Sequence, residues 1–164
     1  MGSVAVEIID RGLDEAMVSI QRLTSAELRL ELMDGVGREI QSQTRHRIRT
    51  EKTSPEGAEW PANRRGASIL HLTGALWDSI DYRATMDQVH VGSARIYARI
   101  HQFGGTIKAK NGKALHFVSG GNTYTRQSVY IPPRPYLGLS RQNVEDLNDT
   151  ITSFIDSVLQ EGLK

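Results

Sequence analysis

Apolar positions recur along this chain with two different periods. After Thr24 they fall at Leu28, Leu32, Val36, Ile40 and Ile48, the spacing of one helix face, and Thr24 followed by Glu27 has capping-box spacing. The pattern predicts a helix from Thr24 to about Glu51, weakened locally by Gly35 and Gly37. Asp10 followed by Leu13, Met17 and Ile20 predicts a shorter amphipathic helix before it. Beyond Ser140, a second long stripe runs through Val144, Leu147, Ile151, Phe154, Ile155 and Val158, with acidic residues gathered in its first half, where the helix dipole favours them.

Between these helices the pattern changes. "EKTSPEGAEWPANRRG", residues 51–66, is rich in turn formers and follows neither period, so it reads as a long loop pinned by Trp60. A short helix from about Thr73 to Ile80 places Leu76, Trp77 and Ile80 on one side. Alternation then takes over at Tyr82, Ala84 and Met86 and at Val89 and Val91, with Asp87-Gln88 as a hairpin turn. "TIKAK", "ALHFV" and "TRQSVYIP" read as further strands, with turns at Asn111-Gly112 and Gly120-Gly121-Asn122. Long helices at both ends of a small antiparallel sheet predict an α+β fold. The expected organisation is one domain over 1–164: a helix or arm over 1–23, a main body over 24–160, and a projecting β-hairpin over 106–130.

Composition narrows the chemistry. Apolar residues make up 38% of the chain, against roughly 45% in an average domain that also counts glycine, which suggests a thin core or one completed by partners. No apolar run approaches the roughly 20 residues of a membrane span, and the first residues lack the pattern of a secretory signal, so synthesis in a cytoplasm is expected. Cysteine is absent, which removes disulfides, thiol nucleophiles and thiolate metal sites. The net charge of +1 conceals a segregation: residues 1–87 carry 11 basic and 14 acidic side chains, residues 88–144 carry 8 and none, and residues 145–164 carry 1 and 5. Such a distribution suits a nucleic-acid surface, or a basic segment of one subunit meeting an acidic helix of another.

"YARIHQFGG", residues 97–105, invites a catalytic reading of His101. A histidine base needs a nucleophile or an orienting carboxylate, yet the nearest acids in sequence are Asp87 and Glu145, and no serine sits in a nucleophile elbow. The five histidines show no i, i+3 or i+4 pair, so no metal site is expected, and neither glycine pair has the context of a phosphate loop. No cofactor is indicated. A packing element explains the stretch better: a helix over 94–103 with Ile96, Tyr97 and Ile100 as its apolar stripe, Phe103 covering its end and Gly104 as a left-handed cap.

Taken together, "TRHRIRTEKTSPEGAEW" (44–60), "ILHLTGALWDSI" (69–80), "VHVGSARIYARIHQFGG" (89–105) and "IPPRPYLGLS" (131–140) form an ordered set over roughly residues 25–160. The set resembles the phage virion morphogenesis family, the tail-completion proteins of tailed bacteriophages and related prophages. Matching positions are Ser54, Pro55, Gly57 and Trp60, then Leu70, Thr73, Gly74 and Leu76, then Tyr97, His101, Gly104, Pro132, Arg134, Pro135, Leu137 and Gly138. Trp77-Asp78 departs from the basic or polar pair more usual there. The resemblance implies a non-enzymatic protein of the virion neck that completes the tail and joins it to the DNA-filled head. It also implies α+β subunits closing into a ring, commonly sixfold, with DNA in the lumen. The partners implied are further copies of the chain, a head-side connector, and tail-side terminator or tube proteins, with no membrane.

A ring needs two different faces that meet. The charge segregation suggests Asp146, Asp149 and Asp156 of one subunit near Arg95, Arg99 or Arg126 of the next. Trp60, His101 and Phe103 are further interface candidates. "IPPRPYLG" suits either a docking arm, with Arg134, Tyr136 and Leu137 as anchors, or a rigid connector within its own subunit. Lys108, Lys110 and Lys113 would mark the hairpin tip, facing a neighbour or, through non-specific phosphate contacts, DNA in the lumen. Two other functions compete: a nucleic-acid-binding protein using Arg45, Arg47, Arg49 and the basic third, and a hydrolase using His101.

Overall fold

In the computed structural model, the described residues are 17–162 apart from 19, 22, 64–67, 111–112 and 120. The start of the predicted first helix, Asp10 and Leu13, lies outside them, as does the Asn111-Gly112 turn; Met17, Val18, Ile20, Gln21 and Leu23 are helical. The long helix α1 spans Ala26–His46. Its cap is Ser25 rather than Thr24: the Ser25 hydroxyl accepts the Leu28 N–H at 3.2 Å, while the Thr24 hydroxyl turns back to the Gln21 carbonyl at 2.9 Å. The helix continues as a π-helical turn over Arg47–Glu51, where the Lys52 N–H reaches the Arg47 carbonyl at 3.0 Å. Lys52 ends it with φ 60°, a left-handed conformation.

Gly37 is buried because the ring of Tyr82 lies flat on it, and a Cβ there would overlap the ring. The Tyr82 hydroxyl then donates to Asp34 at 2.8 Å, tying strand to helix. Gly35, by contrast, faces open space. Gly37→Ala is therefore expected to lose about 1–2 kcal/mol although alanine is the better helix former, because overpacking outweighs a propensity gain of about 1 kcal/mol. Gly35→Ala should gain stability. Paired urea midpoints check both, and equal shifts of the same sign would contradict the packing argument.

The strands form three separate antiparallel pairs rather than one sheet. β1 (Ile80–Ala84) pairs with β2 (Val89–Ser93), in register Tyr82 to Val91, and packs on α1. The turn runs over Thr85–Gln88, where the Thr85 N–H meets the Gln88 carbonyl at 2.8 Å, so Met86 lies in the turn and is exposed. One turn of helix, α2 (Ala75–Asp78), precedes β1 and delivers Leu76 to the interior, and α3 (Ala98–Phe103) follows β2. β3 (Gly105–Lys108) pairs with β6 (Ser128–Ile131), and β4 (Leu115–Ser119) pairs with β5 (Asn122–Arg126). Ala109 still donates to Gln127 at 2.8 Å, so the two pairs form one ribbon whose first strand is interrupted after residue 109. That ribbon is the expected 106–130 hairpin, with Phe117 stacked on Tyr124 across it at 5.6 Å.

The last helix, α4 (Arg141–Gly162), opens on a reciprocal cap: the Ser140 hydroxyl accepts the Asn143 N–H and Asn143 Oδ1 accepts the Ser140 N–H, each at 3.1 Å. Leu147 and Val158 of the predicted stripe are buried, but Val144 is exposed, because Asn143 turns inward against α1 instead. The core gathers Ile48, Trp60, Leu76, Ile80, Ala98 and Tyr136 from the π turn, the 51–63 loop, α2, β1, α3 and the proline-rich segment. Long helices bracketing small antiparallel strands make the fold α+β.

Candidate assembly interface

Several residues picked out by sequence pattern are engaged inside the subunit. Within the 51–66 loop, Ser54-Pro55-Glu56-Gly57 forms a tight turn, with the Gly57 N–H on the Ser54 carbonyl at 2.9 Å and Gly57 at φ 85°. That turn presents Trp60, which is buried and donates Nε1–H to the Pro135 carbonyl at 2.9 Å. Arg134 is buried as well: Nε–H and Nη2–H reach the carbonyls of Pro61 and Ala62 at 2.9 and 3.3 Å, and its N–H donates to the His101 carbonyl at 2.7 Å. Tyr136 is 1% exposed, with its hydroxyl directed to the Ala98 carbonyl at 3.3 Å; burial, and secondarily Tyr97, pushes its pKa up to about 12.

Gln102, which no periodicity marks, holds this segment in place. Its Oε1 accepts the N–H groups of Tyr136 and Leu137 at 2.9 and 3.0 Å, and its Nε2 donates to the Leu137 carbonyl at 3.0 Å. Of the two readings of "IPPRPYLG", the structure therefore has the connector: Trp60, Arg134 and Tyr136 are consumed within the fold, and Leu137 is half-buried beside them.

His101 is half-buried, its ring edge-on to Tyr97 at 5.8 Å. Burial, and secondarily the Arg134 guanidinium, lowers its pKa, favouring the neutral ring. Among the described residues no carboxylate pairs with it, and its Nδ1 is buried without a hydrogen-bond partner. Of Arg45, Arg47 and Arg49, two are also directed inward. Arg45 stacks on Trp77 at 5.1 Å and donates to the Ile80 carbonyl at 3.0 Å, while Arg47 is fully buried, leaving Arg49 exposed.

The helix over 94–103 is shorter than expected and oriented the other way. Ala98 is its buried residue, whereas Ile96 is 99% exposed and Phe103 is 71% exposed. The apolar stripe exists, but its ends face solvent, because Ala98, His101 and Gln102 occupy the inward side. Gly104 stops the helix at φ 69°, ψ −177°, a positive φ without the left-handed helical ψ that was expected. Arg95 and Arg99 are exposed beside Ile96, with Arg95 anchored through Nε–H to the Ala75 carbonyl at 3.3 Å.

The other candidates lie on two further surfaces. Lys108, Lys110, Lys113 and Arg126 are exposed on the ribbon, Lys110 and Lys113 flanking the undescribed Asn111-Gly112, and the Arg126 guanidinium covers Tyr124 at 5.7 Å. Asp149 and Asp156 are exposed on α4 and make no ion pair among the described residues, while half-buried Asp146 accepts from Gln142 at 3.0 Å. Between α1 and β1 lies an open groove of about 660 Å³, with Glu27, Glu31, Asp34 and Asp81 around Leu30 and Tyr82. No helix among the described residues is long and apolar enough to cross a membrane.

The described residues thus combine a small core and buried polar connectors with exposed apolar side chains, and the charge is segregated along the chain. Residues 8–156 match the phage virion morphogenesis family, and the chain belongs to that family, whose members have structural and assembly roles in phage particles. It is 31% identical over 94 residues to the "Putative capsid assembly protein G" of Escherichia phage Mu, an alignment covering 57% of this chain and 51% of that protein, so the chain spans about half of its length. No solved structure matches.

Proposed function

We propose that this chain is a subunit of a neck ring, sixfold in closure, that completes the tail and joins it to the head while DNA passes through the lumen. The observation that carries the reading is the exposed surface: Ile96, Phe103 and Tyr130 are largely or fully exposed on a basic third, and Asp149 and Asp156 of the acidic α4 make no ion pair among the described residues. Neighbouring copies are the first partners, with Asp149 and Asp156 of one facing the basic ribbon of the next, Arg126 included. A head-side connector and tail-side terminator or tube proteins stack above and below. The proposed role is architectural and non-enzymatic, in the virion neck, and a relative named for capsid assembly supports its assembly part.

The exposed lysines of the ribbon, Lys108, Lys110 and Lys113, serve contacts between subunits or rings, with only passing contact to DNA phosphates, since a firm grip would retard DNA passage. A nucleic-acid regulator is disfavoured because Arg45 and Arg47 are directed inward. The test is the mass of the purified protein by light scattering after size exclusion. At low salt a closed oligomer is expected, and it should dissociate as salt screens the charged faces. A monomer at both salts would remove the self-assembled ring.

A further inference from the structure

The outward face of α3 and the groove between α1 and β1 have properties that fit each other. Arg99 and Phe103 are four residues apart on α3 and share a side, and fully exposed Ile96 lies with exposed Arg95 in the turn that leads into the helix. Arg95 and Arg99 are the only charges on residues 94–104, and no acid occurs anywhere from 88 to 144. The surface therefore combines exposed apolar side chains with charge of one sign, basic. The groove is the inverse: Leu30, 46% exposed, and Tyr82 form an apolar floor, with Glu27, Glu31 and Asp81 at the edge. Asp34 is held by Arg38 and Tyr82, Asp81 accepts the Tyr82 N–H at 2.9 Å, and among the described residues no basic side chain lines the groove.

We propose that the α3 face of one copy docks in the α1–β1 groove of the next, Ile96 seating against Leu30 with Arg95 and Arg99 against Glu27 and Glu31. The contact rests on the ring reading and specifies how the ring closes. It joins two different surfaces of the same chain, so it repeats head to tail, as a closed ring requires and a two-fold dimer does not. The other occupant within reach of the sequence is the chain's own beginning. Residues 1–16 carry four acids and one base, the wrong sign for an acidic rim. The basic α3 face has the right one.

The chain contains no cysteine, so introduced thiols report without background. Full-length Ile96→Cys and Leu30→Cys variants, both at exposed positions, are mixed and mildly oxidised. A covalent dimer is expected only in the mixture, and a chain carrying both changes should give a ladder ending at the ring number. Ile96→Cys with Val118→Cys on the ribbon is the control pair and should stay uncoupled. In parallel, Ile96→Asp should weaken association roughly tenfold or more, because it forfeits apolar burial and sets a negative charge against acids. Arg99→Glu should weaken it too, and Glu31→Arg in the same chain should restore it. An oligomer by light scattering that yields no 96–30 bond, or that yields 96–96 dimers, overturns this contact and leaves the ring intact. A protein that is monomeric and uncoupled removes ring and contact together.

Discussion

Arg47→Met is expected to destabilise the fold by about 3–5 kcal/mol, the range for removing one member of a buried charged network. Arg47 is 0% exposed at the junction of α1 with its π-helical turn. Its Nη1 donates to the carbonyls of Tyr136 and Gly138 at 3.1 and 2.7 Å, its Nη2 to the side chain of Asn143, and its Nε faces Glu51 at 3.4 Å. Burial lowers its pKa, and the carboxylate of Glu51 opposes that shift. One guanidinium thus joins the long N-terminal helix to the proline-rich connector and the first turn of α4. Methionine keeps most of the volume, so the loss reports unsatisfied carbonyls rather than a cavity. Lysine keeps the charge but cannot span the acceptors, and should recover only part of it. Urea unfolding at neutral pH measures both, and a loss under about 1 kcal/mol for Met would mean that water replaces the guanidinium freely.

Arg47 also marks the boundary of what was legible from sequence. Long elements with sustained periods could be read: α1 and its continuation to Glu51, α4, the β1–β2 hairpin and the ribbon over 106–130 all follow from spacing. Periodicity establishes that a face exists, not what it faces. The stripe of Ile96, Tyr97 and Ile100 with Phe103 at its end was visible, yet the exposure of Ile96 and Phe103 goes with Gln102 and His101 being claimed by residues 134–137, more than thirty positions away. Proline restricts a docking arm and an internal connector equally, so "IPPRPYLG" could not be assigned without those same bonds. Arg45, Arg47 and Arg49 looked like a basic patch, although Arg47 diverges from the other two on the helix. That divergence was the available signal, because position 47 adjoins Ile48 and follows Thr44 by three, beside the apolar stripe. The ribbon divides into two pairs at the bend at Gln127 between β5 and β6, which no residue type at that position announces.

Gly104→Ala should cost about 3 kcal/mol or more, from two causes that act at the same atom. With φ 69° and ψ −177° the residue occupies backbone space essentially reserved for glycine, a strain of about 1–3 kcal/mol for any other side chain. A Cβ would also stand 2.7 Å from the Pro133 nitrogen and 3.0 Å from the Ile131 carbonyl oxygen, both backbone atoms that no rotamer change can move, adding about 1–3 kcal/mol of overpacking. The corner cannot relax alone, because Arg134 donates to the His101 carbonyl at 2.7 Å and β6 pairs with β3 immediately beyond, at Gly105 and Ile131. Relief requires α3 to shift against the connector, and that shift would tilt the face bearing Ile96, Arg99 and Phe103. A lower urea midpoint is therefore expected together with weaker self-association, whereas Gly121→Ala in the β4–β5 turn, also at positive φ but with no atom near its Cβ, should lose only the conformational part and leave assembly unchanged. If Gly104→Ala matched Gly121→Ala in both measurements, the packing of the corner on Pro133 would not be what sets the direction of α3.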